Sequence, residues 1–274
     1  LRRLPYPQSK EEIACYKMVN GKWQEAGTAS SEAGKYENPA AICLPGKQPV
    51  VAWNTISDGE WKVQVAQYKN GKPSKPKTFA APEGKAVHPK FVAGENGKVW
   101  LTWENYLDRN FSIYACSLQN GKWSEPKQLT SENEVCFDPA LAEGKDGKLY
   151  MVYGITDGFH QNIEMKIFNS DSLELLDHVP VAIGGGLENR VNLNTKPALA
   201  FDKNNRLWIS WMNNRNTTRL DDGDNFSGDR CCSMVCYFNG KIMQPEKTGK
   251  WLFDGKNDQY PTFVKDPNNN LYAF

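Results

Sequence analysis

Short apolar runs recur along this chain at a regular interval, and each is introduced by a proline. Three copies lie about 50 residues apart and begin at Pro39, Pro89 and Pro139. Each copy alternates apolar with polar positions and then reaches an apolar run that ends on an aromatic residue, which is Trp53, Trp103 or Tyr153. Further copies begin at Pro197 and Pro261. A period of two residues is typical of β-strands, and no stretch of the chain favours a helix.

The second half of each copy is marked by the triplet Asn-Gly-Lys. It begins at Asn20, Asn70, Asn120 and Asn239. Asn-Gly between alternating runs is the strongest short-range signal for a β-hairpin. The link between the first two strands is equally short, as in Asn96-Gly97-Lys98. Each copy therefore predicts four strands, two tight hairpins and two longer links, and four-stranded units repeated at this interval indicate β-propeller blades.

We predict an all-β chain that forms one β-propeller domain, residues 1–274, of four-stranded antiparallel blades. The predicted blades span residues 36–84, 85–134, 135–190 and 191–255, and a further blade combines 256–274 with 1–35. Because the two end segments each supply half of that blade, both termini close a five-bladed ring without free sheet edges. The alternative is a fragment of a six- or seven-bladed ring.

Composition narrows the possible partners. Basic and acidic side chains number 33 and 32, a net charge of +1, so we expect no nucleic-acid partner. No apolar run approaches the length of a membrane span. The seven cysteines lack zinc-like spacing, and we expect most to act as small apolar residues in strands. We expect no cofactor; the segment Asp221-Asp222-Gly223-Asp224 suits Ca²⁺, but a solvated acidic loop is the favoured interpretation.

The residue before each repeated proline is the first candidate for a functional position. These residues are Asn38, His88, Asp138, Lys196 and Tyr260. A residue that precedes proline is expected to be extended, here at the mouth of the central channel. All five are polar or amphipathic and all five differ, whereas the scaffold positions recur. Either a solvent-facing position tolerates any polar residue, or a ring of unlike groups converges on one ligand.

A second group of polar residues follows the strand that ends on the repeated aromatic. Asn54 follows Trp53, Glu104 follows Trp103, and we expect longer loops to continue from there. Arginine side chains in such loops can bind a carboxylate through two parallel hydrogen bonds, although surface arginines often have no such role. The candidates for substrate binding are Asn38, Asn54, Arg109, Lys196, Arg215 and Tyr260.

Two kinds of chemistry fit the catalytic candidates His88, Asp138 and Glu104. Asp138 and Glu104 would form the pair of carboxyl groups that glycoside hydrolysis needs. Alternatively, His88 and Tyr260 would serve as base and acid in β-elimination from a uronic acid. A cation would then neutralise the sugar carboxylate, and the candidates are Arg109, Arg215 and Lys196.

The repeats also resemble a known family. The segments from His88-Pro89 to Trp103 and from Asp138-Pro139 to Tyr153, followed by residues 120–126, are similar to bacterial sialidase-like (BNR-type) propeller repeats. The resemblance implies a carbohydrate-active propeller that is secreted, periplasmic or on the cell surface of a bacterium, with a carbohydrate ligand. An intact sialidase Asp-box, Ser-x-Asp-x-Gly-x-Thr-Trp, is absent. The alternative is a non-catalytic glycan- or protein-binding module of a larger secreted protein with further domains.

Overall fold

The computed structural model describes residues 2–3, 11–79, 83–158, 160–182, 192–215, 230–243, 260–266, 268 and 270–274. Its described part consists of β-strands, their connections and one short 3-10 turn at Glu95–Gly97. No helix there is long and apolar enough to cross a membrane. The chain divides into two compact units, Leu1–Glu132 and Asn133–Phe274.

The first unit contains two hairpins and two complete four-stranded blades. The hairpins pair β1 with β2 and β3 with β4, one blade has the order β5-β6-β7-β8 with β9 also on β7, and the other has the order β10-β11-β12-β13 with β14 also on β12. The strands are β1 Arg2–Arg3, β2 Glu11–Glu12, β3 Ala14–Val19, β4 Lys22–Thr28, β5 Lys35–Ile42, β6 Val50–Ser57, β7 Glu60–Lys69, β8 Lys72–Pro73, β9 Lys77–Phe79, β10 Lys85–Ala93, β11 Val99–Leu107, β12 Asn110–Gln119, β13 Lys122–Trp123 and β14 Lys127–Gln128.

The second unit repeats the antiparallel pattern within its blades, and β17 and β19 are joined by a parallel pair between Gln161 and Leu193. Strand order is β15-β16-β17-β19-β20-β21-β22, β18 also pairs with β17, and β23 pairs with β24. The strands are β15 Val135–Glu143, β16 Lys148–Thr156, β17 Gln161–Asn169, β18 Leu175–Ala182, β19 Asn192–Phe201, β20 Leu207–Arg215, β21 Arg230–Phe238, β22 Ile242–Met243, β23 Phe263–Lys265 and β24 Leu271–Ala273.

In the first unit, the repeated aromatics Trp53 and Trp103 pack between neighbouring blades, as their recurrence predicts. Trp53, Trp103 and Tyr153 are fully buried. In the first unit, Trp103 stacks on Phe79 of the preceding blade with ring centroids 6.0 Å apart. Trp123 meets the same Phe79 ring edge-on at 5.4 Å. Burial of large aromatic surface between sheets is therefore the main stabilising feature of this blade pair.

The Asn-Gly turns have the geometry that the sequence predicts. At the turns beginning with Asn20, Asn70 and Asn120, the asparagine and the following glycine both have positive φ, the signature of a tight two-residue hairpin. The link between second and third strands is just as tight in the first unit, with positive φ at Asp58-Gly59 and Asp108-Arg109. The prediction of longer loops there was wrong, because the polar residues after the aromatics stay paired on both sides within the sheet.

The residues before the repeated prolines also differ from the prediction. They adopt left-handed rather than extended backbone, with φ of 49°, 53°, 52°, 51° and 58° at Asn38, His88, Asp138, Lys196 and Tyr260. The strand register shifts around the first four, which marks a β-bulge in each blade. Proline cannot donate to the ladder, so the bulge accommodates it, and this requirement overrides the usual preference for extended backbone.

Candidate functional site

The bulge of β10 brings His88 onto Glu104 of the neighbouring strand. Glu104 lies opposite Val87 in the ladder, and its Oε2 is 2.8 Å from Nδ1 of His88. The glutamate side chain is only 5% exposed, whereas the histidine side chain is 53% exposed. A buried carboxylate needs a partner of this kind. With Nδ1 donating its proton to Glu104, Nε2 is the nitrogen that can accept a proton.

Asn54 is hydrogen-bonded to the backbone of His88. It is fully buried. Its Oδ1 accepts hydrogen bonds from Nδ2 of Asn38 at 3.1 Å and from the backbone N–H of His88 at 3.2 Å. Its Nδ2 donates to the carbonyl of Ala86 at 2.8 Å. Asn38 is exposed and Asn54 is not, so only Asn38 can contact a ligand.

Arg109 lies at the same end of this blade. It occupies the turn between β11 and β12, next to Leu107, and its side chain is exposed. The strand that carries Glu104 ends at this turn, and β10 begins beside it because Lys85 pairs with Tyr106. This turn and the start of β10 therefore lie at the same end of the blade.

The bulges of the second unit carry an ion pair. Nζ of Lys196 lies 2.7 Å from Oδ1 of Asp138, and their side chains are 41% and 17% exposed. The position of Asn54 and Glu104 is taken here by Gly154 and Met212, which have no hydrogen-bonding side chain. A methyl group on Gly154 would overlap the ring of Phe137, so this ring occupies the space.

The remaining candidates lie in the second unit as well. Tyr260 is 64% exposed and has the same left-handed backbone as the other residues before proline. Arg215 ends β20, and its side chain lies outside the described residues. The acidic segment 221–224 also lies outside them. Within the described ranges, no cluster of three or more His, Cys, Asp or Glu residues could hold a metal ion, and calcium at 221–224 stays a prediction.

One cluster was not predicted from the sequence. The hydroxyl of buried Tyr153 donates to Oε2 of Glu164 at 3.2 Å, and Nε2 of His178 is 2.7 Å from the same oxygen. Burial raises the pKa of Tyr153, and the charge of Glu164 raises it further. The repeat spacing carries a signal for this contact, because Gln64, which accepts from Trp53, occupies the matching position in an earlier blade. The cluster therefore supports the repeated aromatic.

Part of the chain matches a known family. Residues 96–218 match the sequence profile of Glycosyl hydrolases family 43. This segment includes Glu104, Asp138 and Lys196, and it begins after His88. No curated protein matches the chain.

Several solved structures share the fold. An endo-arabinase from Bacteroides thetaiotaomicron VPI-5482 is 16% identical, with 89% of each chain covered and a TM-score of 0.52. A polysaccharide lyase, the ulvan lyase PL25, is 13% identical over 94% of this chain and 70% of the other, with a TM-score of 0.57. An α-L-arabinofuranosidase from Lactobacillus brevis is 13% identical over 85% and 80%, with a TM-score of 0.50.

These findings confirm the predicted class. The fold is a β-propeller, and the family match together with the propeller-type neighbours supports a carbohydrate-active protein. The comparisons support this general class. The resemblance to sialidase-type repeats stays a prediction. At identities of 13–16%, the solved structures establish the fold and not the substrate.

Proposed function

We propose that the chain is a carbohydrate-active enzyme that removes a proton from a uronic acid residue of a polar or acidic glycan, with His88 as the base. The observation that carries the proposal is the contact between Nδ1 of His88 and buried Glu104. A buried carboxylate fixes the tautomer and orientation of an imidazole and stabilises it after protonation. The ring itself is half-exposed and can meet a ligand.

The reaction would be β-elimination. Nε2 of His88 takes the C5 proton beside the sugar carboxylate, and the released electron pair forms the C4–C5 double bond. The C4–O bond then breaks, and the leaving oxygen takes a proton from an acid. Arg109, at the same end of the blade as His88, is the candidate for neutralising the sugar carboxylate. A solved ulvan lyase with the same fold is bound to -[GlcA(1-4)Rha3S]-, a polymer that contains a uronic acid.

The burial of Glu104 separates it from the substrate in this proposal. Its side chain is 5% exposed and already paired with His88, so a direct attack on a glycosidic bond would require it to leave that partner. We assign it to hold His88. Asn38 is exposed beside His88 and is the proposed polar contact for sugar hydroxyl groups, together with Arg109.

Glycoside hydrolysis is the second candidate, favoured by the match to Glycosyl hydrolases family 43. The matched segment contains Asp138 of the second unit, which is the candidate carboxyl group for this reaction. In the second unit, Asp138 forms an ion pair with Lys196. For either reaction we propose a secreted, periplasmic or cell-surface bacterial protein.

Product analysis distinguishes these functions. The protein is incubated with uronic acid polymers and with arabinan, and new reducing ends and ultraviolet absorbance from a new C=C bond are followed together. Both signals from a uronic acid polymer, lost in His88→Gln, are the expected result. Reducing ends without absorbance would establish hydrolysis instead. Binding on a glycan array without turnover would establish a non-catalytic binding module.

A further inference from the structure

The buried side-chain amide of Asn54 makes three hydrogen bonds. Its oxygen receives two donors from two different blades, the side chain of Asn38 and the backbone of His88. Its nitrogen donates to Ala86, two residues before His88 on the same strand. One fully buried amide therefore joins Asn38 and His88, the two left-handed residues that precede the repeated prolines in the first unit.

The amide of Asn54 can adopt only one orientation. If it were rotated by half a turn, its NH₂ group would face two donors, and its oxygen would face the carbonyl of Ala86. In the rotated orientation, both mismatches would leave buried polar groups without hydrogen bonds, which is strongly unfavourable. The orientation of Asn54 is therefore fixed, and with it the position of the His88 backbone.

The bulge itself does not require such an amide. Lys196 has the same left-handed conformation, with φ of 51°, although the position matching Asn54 in the blade before it is Gly154. Tyr260 has φ of 58°, with Met212 at that position. The bulge at Lys196 and the left-handed backbone at Tyr260 both form without a side-chain acceptor at that position, so the hydrogen bonds of Asn54 have another role than forming the bulge.

We infer that Asn54 is a positioning residue that sets the orientation of His88 toward Glu104 and couples it to Asn38 on the neighbouring blade. The inference rests on the proposed role of His88 as base. Asn54 acts through the backbone of His88, and Glu104 acts through its ring, so the histidine is fixed at both ends. Such support from buried neighbours is what keeps a reacting group within the narrow range of productive geometries.

Amide hydrogen exchange tests the contact without any substrate. In Asn54→Ala, the backbone amide of His88 should exchange roughly five- to tenfold faster, since it loses its acceptor. The matched control is Asn105→Ala, because Asn105 is also a buried amide that donates to a backbone carbonyl, that of Glu83.

The exchange measurements test the positioning role of Asn54 independently of the proposed function. An unchanged His88 amide in Asn54→Ala would overturn it, as would equal acceleration in Asn105→Ala. If Asn54→Ala does not fold, Asn54→Ser serves in its place, because a serine hydroxyl is too short to reach both donors. Where turnover is found, Asn54→Ala should lower kcat more than it raises KM. Failure to find turnover would affect only the proposed role of His88, because exchange is measured on the free protein.

Discussion

The two units build the same strained bulge and support it in opposite ways. In the first unit, the residue after the repeated aromatic is polar and buried: Asn54 binds the backbone of His88, and Glu104 binds its ring. In the second unit, the matching residue after Tyr153 is Gly154, and the ring of Phe137 fills its space. The first unit supports a half-exposed histidine with hydrogen bonds, whereas the second places an apolar ring at the corresponding position.

Under the proposed function, this difference means that hydrogen bonds orient the candidate base, His88, in the first unit. A left-handed residue that is not glycine costs of order 1–3 kcal/mol, and φ at these positions differs by only a few degrees between the units. The hydrogen bonds are not needed to form the bulge, so they specify where one side chain lies. In the second unit, Lys196 and Asp138 neutralise each other instead.

The largest expected effect is loss of turnover in His88→Gln. Removing a general base should lower kcat by about 10²- to 10⁴-fold, measured by initial rates on a uronic acid polymer. His178→Gln, a change of the same type in the second unit, is the control and should leave the rate unchanged. If Asp138→Asn lowers the rate more than His88→Gln does, the catalytic group belongs to the second unit and hydrolysis becomes the better reading.

The next effect concerns Glu104→Gln. The ring of His88 remains, but it loses the negative charge that stabilises its protonated form, so the rate should fall about tenfold to a hundredfold. Glu164→Gln is a closely matched control, because Glu164 also pairs with a histidine, His178, at 2.7 Å. A rate unaffected by Glu104→Gln would show that Glu104 only satisfies its own burial.

Much of the fold follows from the sequence because its signals are local. Asn-Gly turns, alternation and the repeated aromatics each depend on a few neighbouring residues, and the structure confirms the strands, hairpins and blade packing that they predict. The left-handed backbone at His88 was not predictable in this way. It depends on the position of Pro89 in a paired strand, and local preference alone indicates extended backbone. The closure of a five-bladed ring by both termini stays a prediction.

The candidate site was predicted in part for a related reason. The sequence distinguishes unlike polar residues from repeated scaffold positions, and this separates His88, Glu104 and Asn38 from the structural aromatics. It cannot tell an exposed side chain from one buried beneath it. In the sequence, Asn54 and Glu104 directly follow Trp53 and Trp103, where a loop could equally begin. Only their pairing with a strand on each side shows that they lie inside the sheet.

A stability change in the second unit sharpens the comparison further. Gly154→Ala should destabilise the fold by about 1–3 kcal/mol, because the added methyl group overlaps the ring of Phe137. Chemical denaturation measures the change. Combining it with Phe137→Leu should recover part of the loss, since the smaller side chain makes room. Equal destabilisation in the single and double variants would mean that Phe137 does not fill this space.

Acid should weaken a turn of the second unit. Burial opposes ionisation of Asp202, but hydrogen bonds from Trp208, Arg206 and the backbone outweigh it and lower the pKa of this carboxyl. A carboxyl group with a lowered pKa stabilises the fold fully at pH values above its ordinary pKa of about 3.9. This stabilisation is lost as the pH falls through the pKa of the folded state. Asp202→Asn should therefore cost about 1–2 kcal/mol at neutral pH, and the difference should shrink in acid.

The control for Asp202→Asn is Asp58→Asn. Asp58 lies in an exposed turn of the first unit, where its positive φ suits asparagine. Thermal unfolding at a series of pH values should show a small difference at every pH for this variant. A pH-independent loss in Asp202→Asn would mean that the hydrogen bonds of the turn, and not its charge, account for the stabilisation.

The smallest effect is expected for Lys196→Met. Its ion pair with Asp138 is short but partly exposed, so water and salt screen it, and the loss of stability should be under about 1 kcal/mol. The difference from the unmodified protein should disappear in about 1 M salt. Lys203→Met, an exposed lysine in the same unit, is the control. A much larger loss of stability, or one that salt does not remove, would mean that Asp138 depends on Lys196 as strongly as Glu104 depends on His88. The proposed difference between the two units would then be contradicted.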